Sequence, residues 1–371
     1  MLKKLALHAL LVLVVPLVLL ELGMRLVPVS SPPYLLPVTA ANPVVHYQPN
    51  IKYQYSYGPD FEVRSVKHSN NFGYANAADY RADVATPLLM VIGDSFVEAQ
   101  QVDAGKSAPE LLHAGMKGKA RVYSMGVSGA PLSQYLVFAD HARRVFRPDA
   151  MAFFIIGNDF DESLLKYKAE PRFHYFEERD GKMSMKRVDY EMSETKKILR
   201  HSALLRYVLY NLAAEVRLKA LLGREHPRAE LEPAALDERV RDSERAVDYF
   251  CERLPGMSGL EPRAIAFVLD AVRPAIYAEE TLKAAETGYH ERMRRYFAAQ
   301  AAARGYAVID MQPVFIERHR RTGARFEFRT DSHWNELGHR VVADEVGRWL
   351  NASRVLREDY VRPAELRAGN L

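Results

Sequence analysis

Cysteine is nearly absent from this chain, with Cys251 alone among 371 residues. A single thiol excludes an internal disulfide framework and any multi-cysteine metal site. Charge of one sign is scarce too. Acids and bases intermix to a formal net charge of +4, and no stripe of Lys and Arg alternates with aromatics, so nucleic acid is not an expected partner. Internal repeats and low-complexity tracts are missing. No phosphate-binding Gly-x-x-x-x-Gly-Lys-Ser/Thr loop or Gly-x-Gly-x-x-Gly fingerprint follows the first core strand candidate. A Gly-x-Ser-x-Gly elbow and a His-Glu-x-x-His pair are lacking as well. No cofactor is therefore expected. What remains is ordinary for a folded protein, with 48% hydrophobic and 26% charged residues.

The N-terminus is the one long apolar run. Lys3 and Lys4 precede Leu5 to Leu20, interrupted only by His8 and Pro16, and the run continues through Glu21 and Arg25 to Val27. Its length suits a helix crossing a bilayer, and the two lysines favour the cytoplasmic side. Glu21 and Arg25 can pair at i, i+4 near the far interface. Residues 1–28 are expected as a retained anchor that leaves the rest outside the cytoplasm, on the periplasmic or cell-surface side. A cleaved signal peptide is the main alternative, although no small-x-small site follows. The lipid bilayer is thus an expected partner, and other envelope proteins are candidates.

Residues 29–85 hold Pro32, Pro33, Pro37, Pro43 and Pro49 and read as a spacer and irregular extension with edge strands. From 86 to 350, strands and helices alternate. Strands are expected at Leu88–Ile92, Ala120–Met125, Ala150–Ile156, Ala264–Leu269 and Tyr306–Asp310. Helices are expected at Ser107–Ala114, Gln134–Val145, Glu279–Arg304 and Leu337–Leu350. The alternation predicts an α/β fold, a parallel sheet of about five strands with helices on both faces. An insertion occupies about 160–260. Gly181 marks a hairpin in it, and Ser202–Leu222 a helix with Leu205, Leu209, Leu212 and Val216 on one face. Arg224–Asp248 is charge-dense and resembles a solvent-facing helix or a linker. Residues 351–371 form a surface tail.

Four polar stretches, three after expected strands and the fourth before the last expected helix, are expected to converge at the carboxyl ends of the sheet, the edge at which such sheets bind ligands. They are Gly93-Asp94-Ser95, Met125-Gly126-Val127-Ser128-Gly129, Gly157-Asn158-Asp159, and Asp331-Ser332-His333-Trp334-Asn335. A serine needs a base to take its proton, and the base needs an orienting partner. Ser95, His333 and Asp331 supply those three roles. An ester carbonyl under attack needs donors aimed at its oxygen, for which the N–H groups of Ser95 and Gly126 and the Asn158 amide are candidates. Asp94 and Asp159 read as supports that pin their turns. Asp331, His333 and His339 also suggest a metal cluster, but His339 falls within the last expected helix and no ligand motif supports it.

These blocks resemble the SGNH hydrolases, or GDSL-like esterases and acylhydrolases, over about Pro87–Leu350 with the insertion outside the likeness. Gly93-Asp94-Ser95 matches the nucleophile block, Ser124 to Gly129 the glycine block, Asn158-Asp159 the asparagine block, and Asp331 with His333 the last. The resemblance implies a three-layer α/β/α sandwich and an oxyanion hole of Ser95, Gly126 and Asn158. Ser124 stands where asparagine is usual, Ile156 where a glycine is usual, and the step from Asp331 to His333 is two positions where three is common. The Asp-x-His-Trp form is similar to that of exopolysaccharide O-acetyltransferases. Three functions follow as expectations. One is a membrane-anchored serine esterase on acyl esters, including acetylated carbohydrate. The second is an O-acetyltransferase acting on an envelope or exported polysaccharide. The third is a non-catalytic carbohydrate-binding protein, which would not need all of Ser95, Asn158, Asp331 and His333.

Overall fold

The computed structural model describes residues 2–214, 233–357 and 359, with side chains from Leu10 onward. Helix α1 spans Leu2–Met24, and its apolar side chains between Leu10 and Leu22 are exposed. Among the described residues no helix is long and apolar enough to cross a membrane. The side chains of residues 1–9, where the expected span begins, lie outside the description. The extension that follows contains an antiparallel hairpin of β1 (Ile51–Tyr57) and β2 (Val63–Ser69).

Five strands make the central sheet: β3 (Leu88–Gly93), β4 (Arg121–Gly126), β5 (Ala150–Ile155), β8 (Ile265–Leu269) and β9 (Ala307–Asp310). Their order is β4-β3-β5-β8-β9, and every neighbouring pair is parallel. Strands apolar on both faces need cover on both, and side chains alternate to supply two separate cores. Leu88, Met90, Ile92, Phe153 and Phe267 join the core beneath α4 (Leu132–Val145), α7 (Pro233–Ser258) and α9 (Tyr289–Ala303). Leu89, Val91, Ala152, Phe154 and Val268 join the opposite core, beneath α3 (Ala108–Gly115), α10 (Met311–Thr322) and α11 (Glu336–Ser353). The result is a three-layer α/β/α arrangement.

Local chemistry explains the helix ends. Ser107 and Glu110 form a reciprocal capping box at the start of α3. The Asp310 carboxylate accepts from Gln312 N–H at 3.0 Å and starts α10 directly after β9, a helix absent from the sequence expectation. Asn335 does the same for α11 through Gly338 N–H at 2.9 Å.

The insertion departs most from expectation. Its hairpin, β6 (His174–Arg179) and β7 (Lys182–Arg187), turns on Asp180-Gly181, both at positive φ, 52° and 71°. Such a two-residue turn matches the twist of the flanking strands. The helix expected over Ser202–Leu222 stops early. After the short helices α5 (Glu194–Leu199) and α6 (Ala203–Arg206), the backbone widens through Tyr207–Asn211 and reaches φ 48° at Ala213. A left-handed non-glycine residue does not continue an α-helix, and Val216 lies outside the described residues. Arg224–Asp248 is no loose linker in its described part. It belongs to α7, whose Val240, Val247, Phe250 and Leu254 are buried under its charged outer face. The single expected helix Glu279–Arg304 is two, α8 (Glu279–Ala285) and α9, separated by extended backbone at Gly288.

Phe267 sits where these layers meet, with ring centroids of Phe297, Tyr306 and Phe153 at 4.9, 5.2 and 5.5 Å. Phe267→Ala leaves a hole that rigid strands cannot close. It is expected to lower the unfolding free energy by about 3–5 kcal/mol in urea denaturation.

Candidate active site

Ser95 follows β3 as the first residue of α2 (Ser95–Glu98), a single helical turn. Asp94 caps that turn, its Oδ1 accepting from Phe96 N–H at 2.9 Å. The Ser95 hydroxyl has two acceptors in reach, His333 Nε2 at 2.7 Å and Asp94 Oδ2 at 3.3 Å, and the imidazole is the nearer. His333 Nδ1 donates to Asp331 Oδ1 at 2.5 Å, and the same oxygen accepts His333 N–H at 2.8 Å. This assigns the Nδ1–H tautomer from the hydrogen bonds and leaves Nε2 to accept the serine proton. Burial would raise the Asp331 pKa, but the bonds from His333 and Gln101 outweigh it and hold the carboxylate below its ordinary range.

The His333 loop is braced on three sides. The Phe96 ring lies against the imidazole with centroids 4.8 Å apart. Trp334, fully buried, donates its indole N–H to Asp270 Oδ1 at 2.9 Å. Arg273 donates to the Ser332 carbonyl at 2.9 Å and pairs with Asp270 at 2.6 Å. Asp270 and Arg273 follow β8, the strand whose exit was not among the four stretches singled out from sequence. An acid just beyond a buried apolar strand was the available signal.

Beside the serine lies a cavity of about 410 Å3, lined by Asp94, Ser95, Phe96, Gly129, Ile156, Asn158, Phe160, Asp270, Arg273, His290, Arg294 and His333 among others. Gly126, expected as an oxyanion donor, is not part of that lining. It ends β4 opposite Gly93, and a Cβ there would stand 2.7 Å from Glu98 N and 2.8 Å from Val97 Cβ. Its glycine is a packing requirement beneath α2. Gly129, three residues on at φ 79°, is the glycine of this block that reaches the cavity. Asn158 lines it too, with one amide N–H donated to Glu162 at 3.3 Å. Asp159 lies underneath, fully buried, with Oδ2 accepting from Ile156 N–H at 2.8 Å and Tyr135 Oη at 3.0 Å. His339 is remote from Asp331 chemically. Its buried ring accepts from Ala108 N–H at 3.3 Å, and burial lowers its pKa to about 3, so it is a neutral core group.

Residues 257–368 match a family model, ALGX, described as the SGNH hydrolase-like domain of acetyltransferase AlgX. That segment is SGNH hydrolase-like. It contains β8, Asp331 and His333, while Ser95, Gly129 and Asn158 precede it. No curated protein matches the chain by sequence. Similar solved structures include TesA, at 14% identity and TM-score 0.40 over 72% of this chain and 99% of that one. A lipase/acylhydrolase from Enterococcus faecalis gives 10% identity and 0.40 over 75% and 100%. The acetyl xylan esterase AlAXEase gives 13% and 0.37 over 70% and 97%.

Asp94 gives the site a pH signature. Burial raises its pKa to about 6, against the opposing Phe96 N–H bond and the nearby His333. Below about pH 6 the neutral acid is therefore the favoured folded form. Its contribution is complete below the unfolded value near 4 and is lost as pH rises through about 6. Between pH 4 and 7.5 the parent should lose on the order of 3 kcal/mol more unfolding free energy than Asp94→Asn, measured by urea titration at both pH values.

Proposed function

We propose that this protein is a serine-dependent acyl-transfer enzyme that takes an acyl group from an ester through an acyl-enzyme on Ser95. The observation that carries the reading is the continuous Ser95–His333–Asp331 relay, with links of 2.7 and 2.5 Å. Ser95 Oγ attacks the ester carbonyl while His333 Nε2 takes its proton. The carbonyl oxygen becomes an oxyanion held by Ser95 N–H, Gly129 N–H and the second N–H of Asn158. His333 then returns the proton to the departing alkoxide, and Asp331 stabilises the imidazolium in between. The acceptor that next loses a proton to His333 and attacks the acyl-enzyme decides the product. Water gives an esterase.

A sugar hydroxyl gives an O-acetyltransferase, and the acetyltransferase description of the matched domain favours this second reading. The size and polarity of the cavity suit acetate or another short acyl group on a carbohydrate. Leu205 and Leu209, whose apolar face would suit a long acyl chain, do not line it. We also read α1 as a membrane anchor that leaves the catalytic domain outside the cytoplasm. Its exposed apolar side chains and the Arg25–Glu21 pair at 2.8 Å support that reading.

Intact-mass labelling with a fluorophosphonate should add one mass unit of probe to the parent and none to Ser95→Ala. Labelling that survives the substitution removes Ser95 from the role. Asn158→Ala should lower kcat on p-nitrophenyl acetate by about 10²-fold or more with little change in KM. Oligosaccharide that gains acetyl mass in the same assay identifies transfer, whereas free acetate under every acceptor identifies hydrolysis. A reporter fused after residue 30 should be active only outside the cytoplasm.

A further inference from the structure

Gly129 and Asn158 must face one oxygen atom, yet the sheet does not set their separation. They lie in turns after β4 and β5, and β3 stands between those strands. A chain of polar contacts from the insertion closes the gap. Asn158 Nδ2 donates to Glu162 Oε2 at 3.3 Å, the same oxygen accepts Lys168 Nζ at 2.5 Å, and Lys168 Nζ donates to the Gly129 carbonyl at 2.9 Å. The Glu162 and Lys168 side chains are only 21% and 19% exposed, so water competes for these bonds less than at an open surface.

The stoichiometry fits the task. A side-chain amide has two N–H groups, and Glu162 occupies one while leaving the other for an oxyanion. An ammonium has three donors and no acceptor, so Lys168 can hold a carboxylate and a carbonyl together. The turn is gripped from its other side as well, where Glu98 Oε2 accepts Ser128 N–H at 2.6 Å.

We propose that Glu162 and Lys168 are positioning residues that set the spacing of the Gly129 and Asn158 donors in acyl transfer. The proposal rests on the acyl-transfer reading above. Neither side chain contacts the reacting atoms. Donors aimed at an oxyanion rather than at the ground-state carbonyl strengthen only as charge develops. Loosening them therefore appears in kcat and not in KM.

Steady-state kinetics of the full chain with p-nitrophenyl acetate test this. Lys168→Met and Glu162→Ala should each lower kcat by about tenfold with KM changed by less than about twofold. Because Glu162 acts through Asn158, Glu162→Ala should cost nothing further in an Asn158→Ala background. Unchanged kcat in both single variants, a loss carried by KM, or a Glu162 effect that persists in full without the Asn158 amide overturns the proposal. Should Lys168→Met not fold, the Glu162–Asn158 cycle decides alone. Ser95→Ala separates the two levels of argument. Turnover that survives it removes the acyl-transfer reading itself, whereas failure of the clamp leaves Ser95 dependence intact.

Discussion

The site depends on holding one imidazole within 2.7 Å of a hydroxyl 238 positions earlier in the chain. A loop does not keep that tolerance by itself, since its own backbone offers few contacts. Here the loop is anchored through its neighbours. Trp334 is driven into the core by its area and tied to Asp270 by its one polar atom. Arg273 reaches from the β8 exit to the Ser332 carbonyl. Its guanidinium is 4% exposed and keeps its charge because Asp270 and Glu327 face it at 2.6 and 3.5 Å. A buried ion group is a poor source of net stability, but it is stiff and directional. Stiffness is what a proton transfer across one hydrogen bond requires.

The other half of the site is organised by the end of β3. A one-turn helix starting at Ser95 presents an unbonded N–H at the nucleophile, because the first amides of any helix lack intrahelical partners. Gly93 and Gly126 let that turn lie directly on the paired strands, with Val97 filling the space their missing side chains leave. Two carboxylates, Asp94 and Asp159, are buried below it; burial raises the pKa of Asp159, and the field of Asp94 raises it further.

The strands were legible because burial on both faces writes uninterrupted apolar runs such as Leu88–Ile92 and Ala150–Ile155. Ser95 was legible because it follows a strand at the edge where parallel strands converge, whereas Asp331 and His333, on the loop before the last helix, were legible as the base and orienting acid that a serine needs. Gly126 against Gly129 was not. Both are glycines of one block, and the choice turns on where β4 stops and the backbone swings to φ 79°. The sequence left α7 between a solvent-facing helix and a linker, and its buried face was obscured because charges outnumber the buried Val240, Val247, Phe250 and Leu254. Lys168 and Glu162 carry no sequence signal, because their role exists only once the insertion folds back on two turns it does not adjoin.

The extension before the sheet is bound to the same loop that carries His333. Glu62, beyond β1, accepts from Thr330 Oγ1 and Arg329 Nη2, both at 2.8 Å. Gln101 bridges Tyr55 Oη and Asp331 Oδ2 at 3.5 and 3.4 Å, long bonds that add bulk and polarity more than strength. From the hairpin, contacts run toward the N-terminus. Asn211 donates to Ser56 Oγ at 3.0 Å, Tyr207 Oη to the Pro59 carbonyl at 2.8 Å, and Glu21 accepts from Ser202, Ala203 and Leu204 at 2.8–3.0 Å. The end of α1 is therefore not a free tether. A carboxylate with three donors on another segment resists swinging, and that segment rests on the hairpin that borders Asp331. The orientation of the cavity relative to the first helix follows from this continuous path of packed elements.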